Sequence, residues 1–178
     1  MTVGLDRLAA SVPVLETERL ILRAPRLSDL DAITGFVTSD RAAFVGGPGK
    51  PWDGWTSLTS LIGHWMIRDF GWWMMEDRAT GATVGRTGIG FHADWPEPEL
   101  GWHIYAGFEG RGLAHEAALA ARTHAHRVMG LGPVISLIHP HNTRSRRLAE
   151  RMGATVESET VVRETPCLVY RHPVEVPA

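Results

Sequence analysis

Residues 108–128 constrain this chain's fold more than any other stretch. Ala114, Ala118, Ala121, Ala125 and Val128 recur at spacings of four, three, four and three, which is one face of an α-helix. Side chains this small let the helix lie close against a sheet. The opposite face carries His115, Arg122, Thr123, His126 and Arg127. The helix follows directly on FEGRGLAHE (108–116), where Gly110 and Gly112 flank Arg111. Glycines let the backbone approach a ligand without obstruction by Cβ. A helix start leaves about four N–H groups unpaired, and its dipole adds about half a positive charge. Together these features make a seat for a pyrophosphate. No lysine–hydroxyl pair follows, so the loop is not GxxxxGK[ST]. Position 115 is histidine, so it is not GxGxxG either. In isolation the stretch reads more readily as a plain strand-to-helix turn.

Patterning elsewhere predicts an α/β chain. Arg19–Arg23 is a short branched strand ended by Pro25, and Ser28 serves as N-cap of a helix bearing Leu30, Ile33, Phe36 and Val37. The turn-rich segment 45–54 is expected to be a loop, with an amphipathic helix after it through Leu58, Leu61, Ile62, Trp65 and Met66. Trp72–Met75 and Thr83–Phe91 are strands joined by a turn at Arg78–Gly81, and Gly85, Gly88 and Gly90 in the second imply a bulge or a close neighbour. Strands at Leu100–Tyr105, Pro133–Ile138, Val156–Val162 and Leu168–Tyr170 alternate with helices at 112–129 and Asn142–Met152. Residues 1–14 read as a loosely tied leader and 15–178 as a single domain. The order implies helices packed on a central mixed sheet.

Composition narrows the function classes. The length of 178 residues suits one core, and a net charge of −2 argues against a general nucleic-acid binder. No apolar run approaches the roughly 20 residues needed to cross a bilayer, so no membrane partner is expected. The single cysteine, Cys167, excludes a disulfide framework and reads as a buried strand thiol in a cytoplasmic protein. The spacing of His124, His126, His139 and His141 gives no ligand set, so no metal is expected.

The segments ELGWHIYAGFEGRGLAHEAALAARTHAHRVMGL (99–131) and HPHNTRSRRLAERMGA (139–154) resemble the GNAT family of acyl-CoA-dependent N-acetyltransferases. The family's loop of Gln or Arg, two residues, Gly, one residue and Gly or Ala falls on Glu109, Gly112 and Ala114. Its Pro-x-Asn-x-x-Ser element falls on Pro140, Asn142 and Ser145, before a helix ending in Met-Gly. LETERLILRAPRLSDLDA (15–32) and VGRTGIGF (84–91) are similar to the ribosomal-protein (RimJ/RimL-type) branch, and the likeness spans about residues 15–172. It implies a central mixed, mostly antiparallel sheet of six to seven strands flanked by about four helices. It also implies direct acetyl transfer from acetyl-CoA, as co-substrate, to a primary amine on a small molecule or a peptide. A non-catalytic acyl-CoA-binding module is the alternative. Glu109 departs from the pattern, because a carboxylate repels a pyrophosphate unless paired, and Arg111 is the nearest partner in sequence.

On that resemblance, main-chain N–H groups of Arg111, Gly112, Leu113, Ala114 and His115 hold the pyrophosphate. Ile104 offers a backbone donor to the thioester oxygen. Asn142 faces the cofactor arm or simply caps its helix. Glu99 is the first candidate for the general base, with a solvated strand-end charge as the plain reading, and His103 is the second. Ser145 donates to the leaving thiolate or belongs to the helix cap, with Tyr105 and Tyr170 in reserve. Arg144, Arg146, Arg147 and Arg151 are a solvated face from which one or two reach the cofactor's ribose phosphate. Trp52 and Trp55 either wall the acceptor pocket or make a homodimer contact.

Overall fold

The computed structural model describes residues 3–174. Helix α1 (Val3–Ser11) precedes strands β1 (Leu15–Glu16) and β2 (Leu20–Arg23), then helices α2 (Leu30–Val37) and α3 (Pro51–Arg68). Strands β3 (Trp72–Asp77), β4 (Thr83–Gly90) and β5 (Glu99–Ile104) follow, then α4 (Leu113–Arg127), β6 (Ile135–Ile138), α5 (Thr143–Arg151), β7 (Thr155–Val162) and β8 (Thr165–Arg171). The eight strands form one sheet in the order β1-β2-β3-β4-β5-β6-β8-β7, antiparallel except between β5 and β6. The expected α/β class and mixed, mostly antiparallel sheet are present, with one strand more than the upper expectation because two-residue β1 also pairs.

Several local expectations change. The leader is a docked helix, with Leu8 and Val12 buried in the main core. The loop expected over 45–54 ends early, because Pro51 opens α3 and the Asp53 carboxylate accepts the Lys50 N–H at 2.7 Å. Ser28 does not cap α2. A 3₁₀ turn over Leu27–Asp29 intervenes, and buried Asp29 accepts from Arg23 Nη1 and Nη2 at 2.9 and 2.8 Å. That pair, joined by Thr83, ties β2 and β4 to the start of α2.

The small-residue face of α4 is real but rotated from its expected position. Leu113, Ala117, Ala118, Ala121 and Ala125 are buried against β4 and β5, whereas Ala114 is half-buried and Val128 is exposed. Arg122, placed by periodicity on the solvent side, is buried and donates to the Met152 carbonyl at 2.7 Å. The residue that ends α5, Met152, and His172 cover this second flank of the helix.

Candidate active site

The parallel junction of β5 and β6 is held at one register pair, Glu99↔Ile135. Beyond it the strands part and leave a wedge. On β5, Tyr105 N–H donates to the Val84 carbonyl, so the Gly85↔Ile104 and Thr87↔Trp102 pairs are of the non-hydrogen-bonded kind. The N–H and C=O groups of Trp102 and Ile104 therefore point away from β4, into the wedge.

A cleft of about 830 Å³ runs along the wedge to the start of α4, lined by Ile104, Gly110, Gly112, His115, Asn142 and Ser145 among others. Gly110 and Gly112 have φ of +73° and +77°, a left-handed backbone suited to glycine. Glu116 N–H bonds back to the Gly112 carbonyl, while those of Leu113, Ala114 and His115 have no partner among the described residues. Leu113 turns its side chain into the core, and neither Arg111 nor Ala114 lines the cleft with a side chain. Any contribution of these three to an anion is through the main chain. Arg111 donates to the Gly107 carbonyl and lies over Phe108. It does not pair with Glu109, whose partner is Arg41, and Arg41 Nη2 also donates to the Ile104 carbonyl at 2.9 Å. Of the basic helix α5, Arg144, Arg147 and Arg151 line the cleft, and Arg146 is instead bonded to the Tyr170 hydroxyl and the Pro140 carbonyl.

A second cavity, about 410 Å³, meets the cleft at Phe44, Val45, Trp102, His103, Asn142 and Ser145. Glu99 lines it at the apex of the wedge, where its carboxylate accepts from Trp95 Nε1 at 2.6 Å and Leu137 N at 3.1 Å. Burial raises its pKa to about 7 against the opposing pull of those two donors. The plain reading of a solvated strand-end charge does not describe it. Ser145 borders both cavities, and its N–H is capped by Asn142 Oδ1 at 3.2 Å, so Asn142 is a cap and also lines both cavities.

His103 takes a different role from the one expected of it. Burial, and then the neighbouring Arg86 charge, hold it neutral. Its Nδ1 accepts from Arg86 Nε at 2.9 Å, which leaves the proton on Nε2. The ring is a donor here and no base. Neither reserve tyrosine lines either cavity: the Tyr105 hydroxyl is buried without a partner, and the Tyr170 hydroxyl donates to Glu150. Trp52 and Trp55 are exposed on α3 and line neither cavity, so they do not wall the pocket. Its aromatic walls are Phe44, Trp72, Trp95 and Trp102. Trp72 lies over Gly101, where an added Cβ would come within 2.1 Å of its indole. Cys167, a buried strand thiol as expected, also borders this cavity. Among the described residues no cluster of three metal-ligating side chains occurs, and no helix is long and apolar enough to cross a membrane.

Sequence reading missed Arg41, Trp72 and Arg86. The signal for Arg86 was present: it is the one charged residue in the strand Thr83–Gly90.

The profile of the acetyltransferase (GNAT) domain matches residues 19–155. The chain belongs to the GNAT acetyltransferase family. An acetyltransferase from Agrobacterium tumefaciens strain C58 superposes with a TM-score of 0.85 at 36% identity, covering 91% of this chain and 95% of that one. A GNAT-family protein from Bordetella pertussis does so at 0.76 and 28%, covering 91% and 100%. The uncharacterized N-acetyltransferase YoaA of Bacillus subtilis is 28% identical over 164 residues, 85% of this chain and 87% of YoaA. Ribosomal-protein acetyltransferases among the structural matches share 15 to 18% of residues, which shows the fold alone. This GNAT chain is an acyltransferase, and its family uses acetyl-CoA.

Proposed function

We propose that this GNAT protein transfers the acetyl group of acetyl-CoA directly to a primary amine, with Glu99 as general base and Ser145 as donor to the leaving sulfur. The observation that carries this reading is a carboxylate raised to about 7, set at the closed end of a wedge whose open end has free helix N–H groups and arginines. The wedge fits an acyl-CoA: Leu113, Ala114 and His115 offer main-chain donors to the pyrophosphate, and Arg144, Arg147 and Arg151 offer charge to the phosphates beyond. Ile104 and Trp102 would offer backbone groups to the pantetheine arm, and the Ile104 N–H would donate to the developing oxyanion. Arg41 must release the Ile104 carbonyl for that pairing.

The chemistry is a substitution at the thioester carbon. The amine nitrogen forms the new bond to the carbonyl carbon, and the C–S bond breaks. The proton lost by nitrogen passes to Glu99, directly or through one water, and the sulfur takes a proton or hydrogen bond from Ser145. A carboxylate near pKa 7 is suited to this work, because about half of it is ionised at neutral pH and that form is a stronger base than an exposed glutamate.

Pairing of Glu109 with Arg41 weakens the repulsion that favoured a non-catalytic module. The test is thiol release from acetyl-CoA over a panel of amines, with coenzyme A affinity followed by calorimetry. Glu99→Gln and Ser145→Ala should lose turnover while binding the cofactor normally. Tight cofactor binding with no amine acetylated by the native protein would overturn the proposal.

A further inference from the structure

We propose that the acceptor is a small amine that also carries a carboxylate, as an amino acid does, and that Arg86 is the residue that binds the carboxylate. This rests on the acetyl-transfer reading but concerns the part of the cavity away from Glu99.

In register, Arg86 pairs with His103 and Gly90 with Glu99, so these side-chain positions share the face of the sheet that looks towards α3. Arg86 Nε donates to His103 Nδ1 at 2.9 Å and Nη1 donates to Ser57 Oγ at 2.7 Å. The guanidinium stands 5.5 Å from the centre of the Trp72 ring. Two of its five N–H bonds are thus used, and among the described residues no carboxylate lies within ion-pairing distance. The unused donors are not sealed off. The buried side-chain atoms left without partners are the Tyr105 hydroxyl and two nitrogens of Arg122, while Arg86 lines the 410 Å³ cavity.

The other charged groups on this wall, and most of its titratable ones, already have partners. Arg163 is forked onto Asp94 at 2.6 and 2.9 Å. His64 holds the Phe70 carbonyl with one nitrogen and accepts the Phe91 N–H with the other. His92 is held below its ordinary value by burial and nearby positive charge. Glu99 faces Trp95 and Leu137. That leaves Arg86 as a cation largely withdrawn from water with no counter-ion, an unfavourable arrangement unless a ligand supplies the charge. A guanidinium with adjacent free N–H bonds is shaped for a carboxylate, which it binds through two parallel hydrogen bonds. Ser57, accepting from Nη1, has its own hydroxyl proton to offer the same anion.

Spacing fits the assignment. Arg86 and Glu99 are four residues apart in register, about 13 Å along the strands, and their side chains extend into the space between. Gly88, Gly90 and Gly101 contribute no side chain there, and the Trp72 indole lies flat over the room that Gly90 and Gly101 leave. A ligand there would lie on an aromatic floor, with its carboxylate at Arg86 and its amine towards Glu99 and the wedge. The cavity is of the size usual for small-molecule sites.

The test compares several L-amino acids with their carboxamides, L-phenylalanine and L-tryptophan included, and phosphoethanolamine with ethanolamine. Thiol release is one readout. Calorimetry of N-acetyl-L-phenylalanine against its amide, with coenzyme A present, is a second that needs no turnover. The native protein should favour at least one acid over its amide by tenfold or more in kcat/KM, and Arg86→Gln should bring that ratio to within about threefold of unity. Arg86→Lys, retaining charge without the fork, should fall between, and it decides the matter if the glutamine variant does not fold. Equal turnover of acids and amides by the native protein, or equal losses on both in the variant, overturns the carboxylate site and leaves acetyl transfer standing. Preference for phosphoethanolamine alone overturns it in favour of a phosphate. If no amine reacts while the acetylated acid still binds tighter than its amide through Arg86, the carboxylate site stands and the transfer reading falls. If no acid reacts and the acetylated acid shows no such advantage, the carboxylate site falls.

Discussion

Replacing Glu99 by glutamine should make the protein more stable at alkaline pH and nearly inactive, and the two effects have one cause. The carboxyl pKa is 4.5 when exposed and about 7 in the fold, because burial disfavours the charge more than the Trp95 and Leu137 donors favour it. A raised acid pKa means that the native state keeps a proton the unfolded chain has lost. Stability therefore falls as pH rises from about 4.5 to about 7 and levels off above. Integrated from pH 5 to pH 8, the loss is on the order of 2.5 kcal/mol. Glutamine has no proton to lose and escapes it. It also turns an amide NH₂ towards one of two donors, at a cost of about 1 kcal/mol at every pH. The variant should match the native protein near pH 5 and exceed it by about 2 kcal/mol at pH 8. Histidines titrate in both proteins and cancel in the difference. Cys167, whose thiol is pushed up by burial and by Glu99, stays protonated across this range. Urea unfolding at the two pH values measures the difference. In parallel, kcat/KM should drop by about 10² to 10⁴ and lose its acidic limb near pH 7. A stability difference independent of pH would refute the buried, raised carboxylate, and undiminished turnover would refute its role as base.

Gly112→Val should cost about 1–2 kcal/mol, because φ is +77° there, and should raise KM for acetyl-CoA at least tenfold with a smaller change in kcat, checked by steady-state kinetics. Gly101→Ala should displace the Trp72 indole, lowering stability by about 1–3 kcal/mol and raising KM for the acceptor more than for acetyl-CoA. Glu109→Gln should tighten coenzyme A binding severalfold by calorimetry, since it removes a negative charge beside the pyrophosphate seat and frees Arg41 from its ion pair. Asp29→Asn should destabilise by about 2–3 kcal/mol in chemical unfolding, because buried Arg23 loses its two-pronged carboxylate partner and keeps only Glu76. Burial alone would raise the Asp29 pKa, but Arg23 holds it below the ordinary aspartate value, so this contribution is present at neutral pH and is lost on strong acidification.

What the sequence disclosed was whatever depends on local spacing. The glycine pair, the alanine face and the Asn142–Ser145 cap are each contained within a few residues, and each occurs close to where the pattern put it. The rotation of α4 was not legible, because an alanine helix has no bulky residue to fix which flank is covered. Arg122 accordingly read as solvent-facing, whereas Met152 and His172 close over it. Pairings across long separations were hidden for a similar reason. Glu109 lies 68 positions from Arg41, and its nearer neighbour Arg111 was the natural but wrong choice. His103 looked like a base until cross-strand Arg86 fixed its tautomer. Trp52 and Trp55 drew attention through their setting among glycines and prolines, yet Pro51 starts the helix early and turns both to the surface.

The two cavities are served by opposite habits of one strand. Side chains alternate across β5, so Glu99, Gly101 and His103 face α3 and the inner cavity. Main-chain groups alternate in the plane of the sheet, so those of Trp102 and Ile104 face the wedge that β6 vacates. With β6 paired along its length, those groups would be consumed by the sheet, and the wedge exists because pairing stops after Glu99↔Ile135. The point where pairing stops is also where a carboxylate accepts the Leu137 N–H, so the side chain of Glu99 closes a ladder that the backbone leaves open. The base and the gap for the cofactor arm therefore come from the same interruption. A substitution that zips β5 onto β6 would be expected to remove both at once.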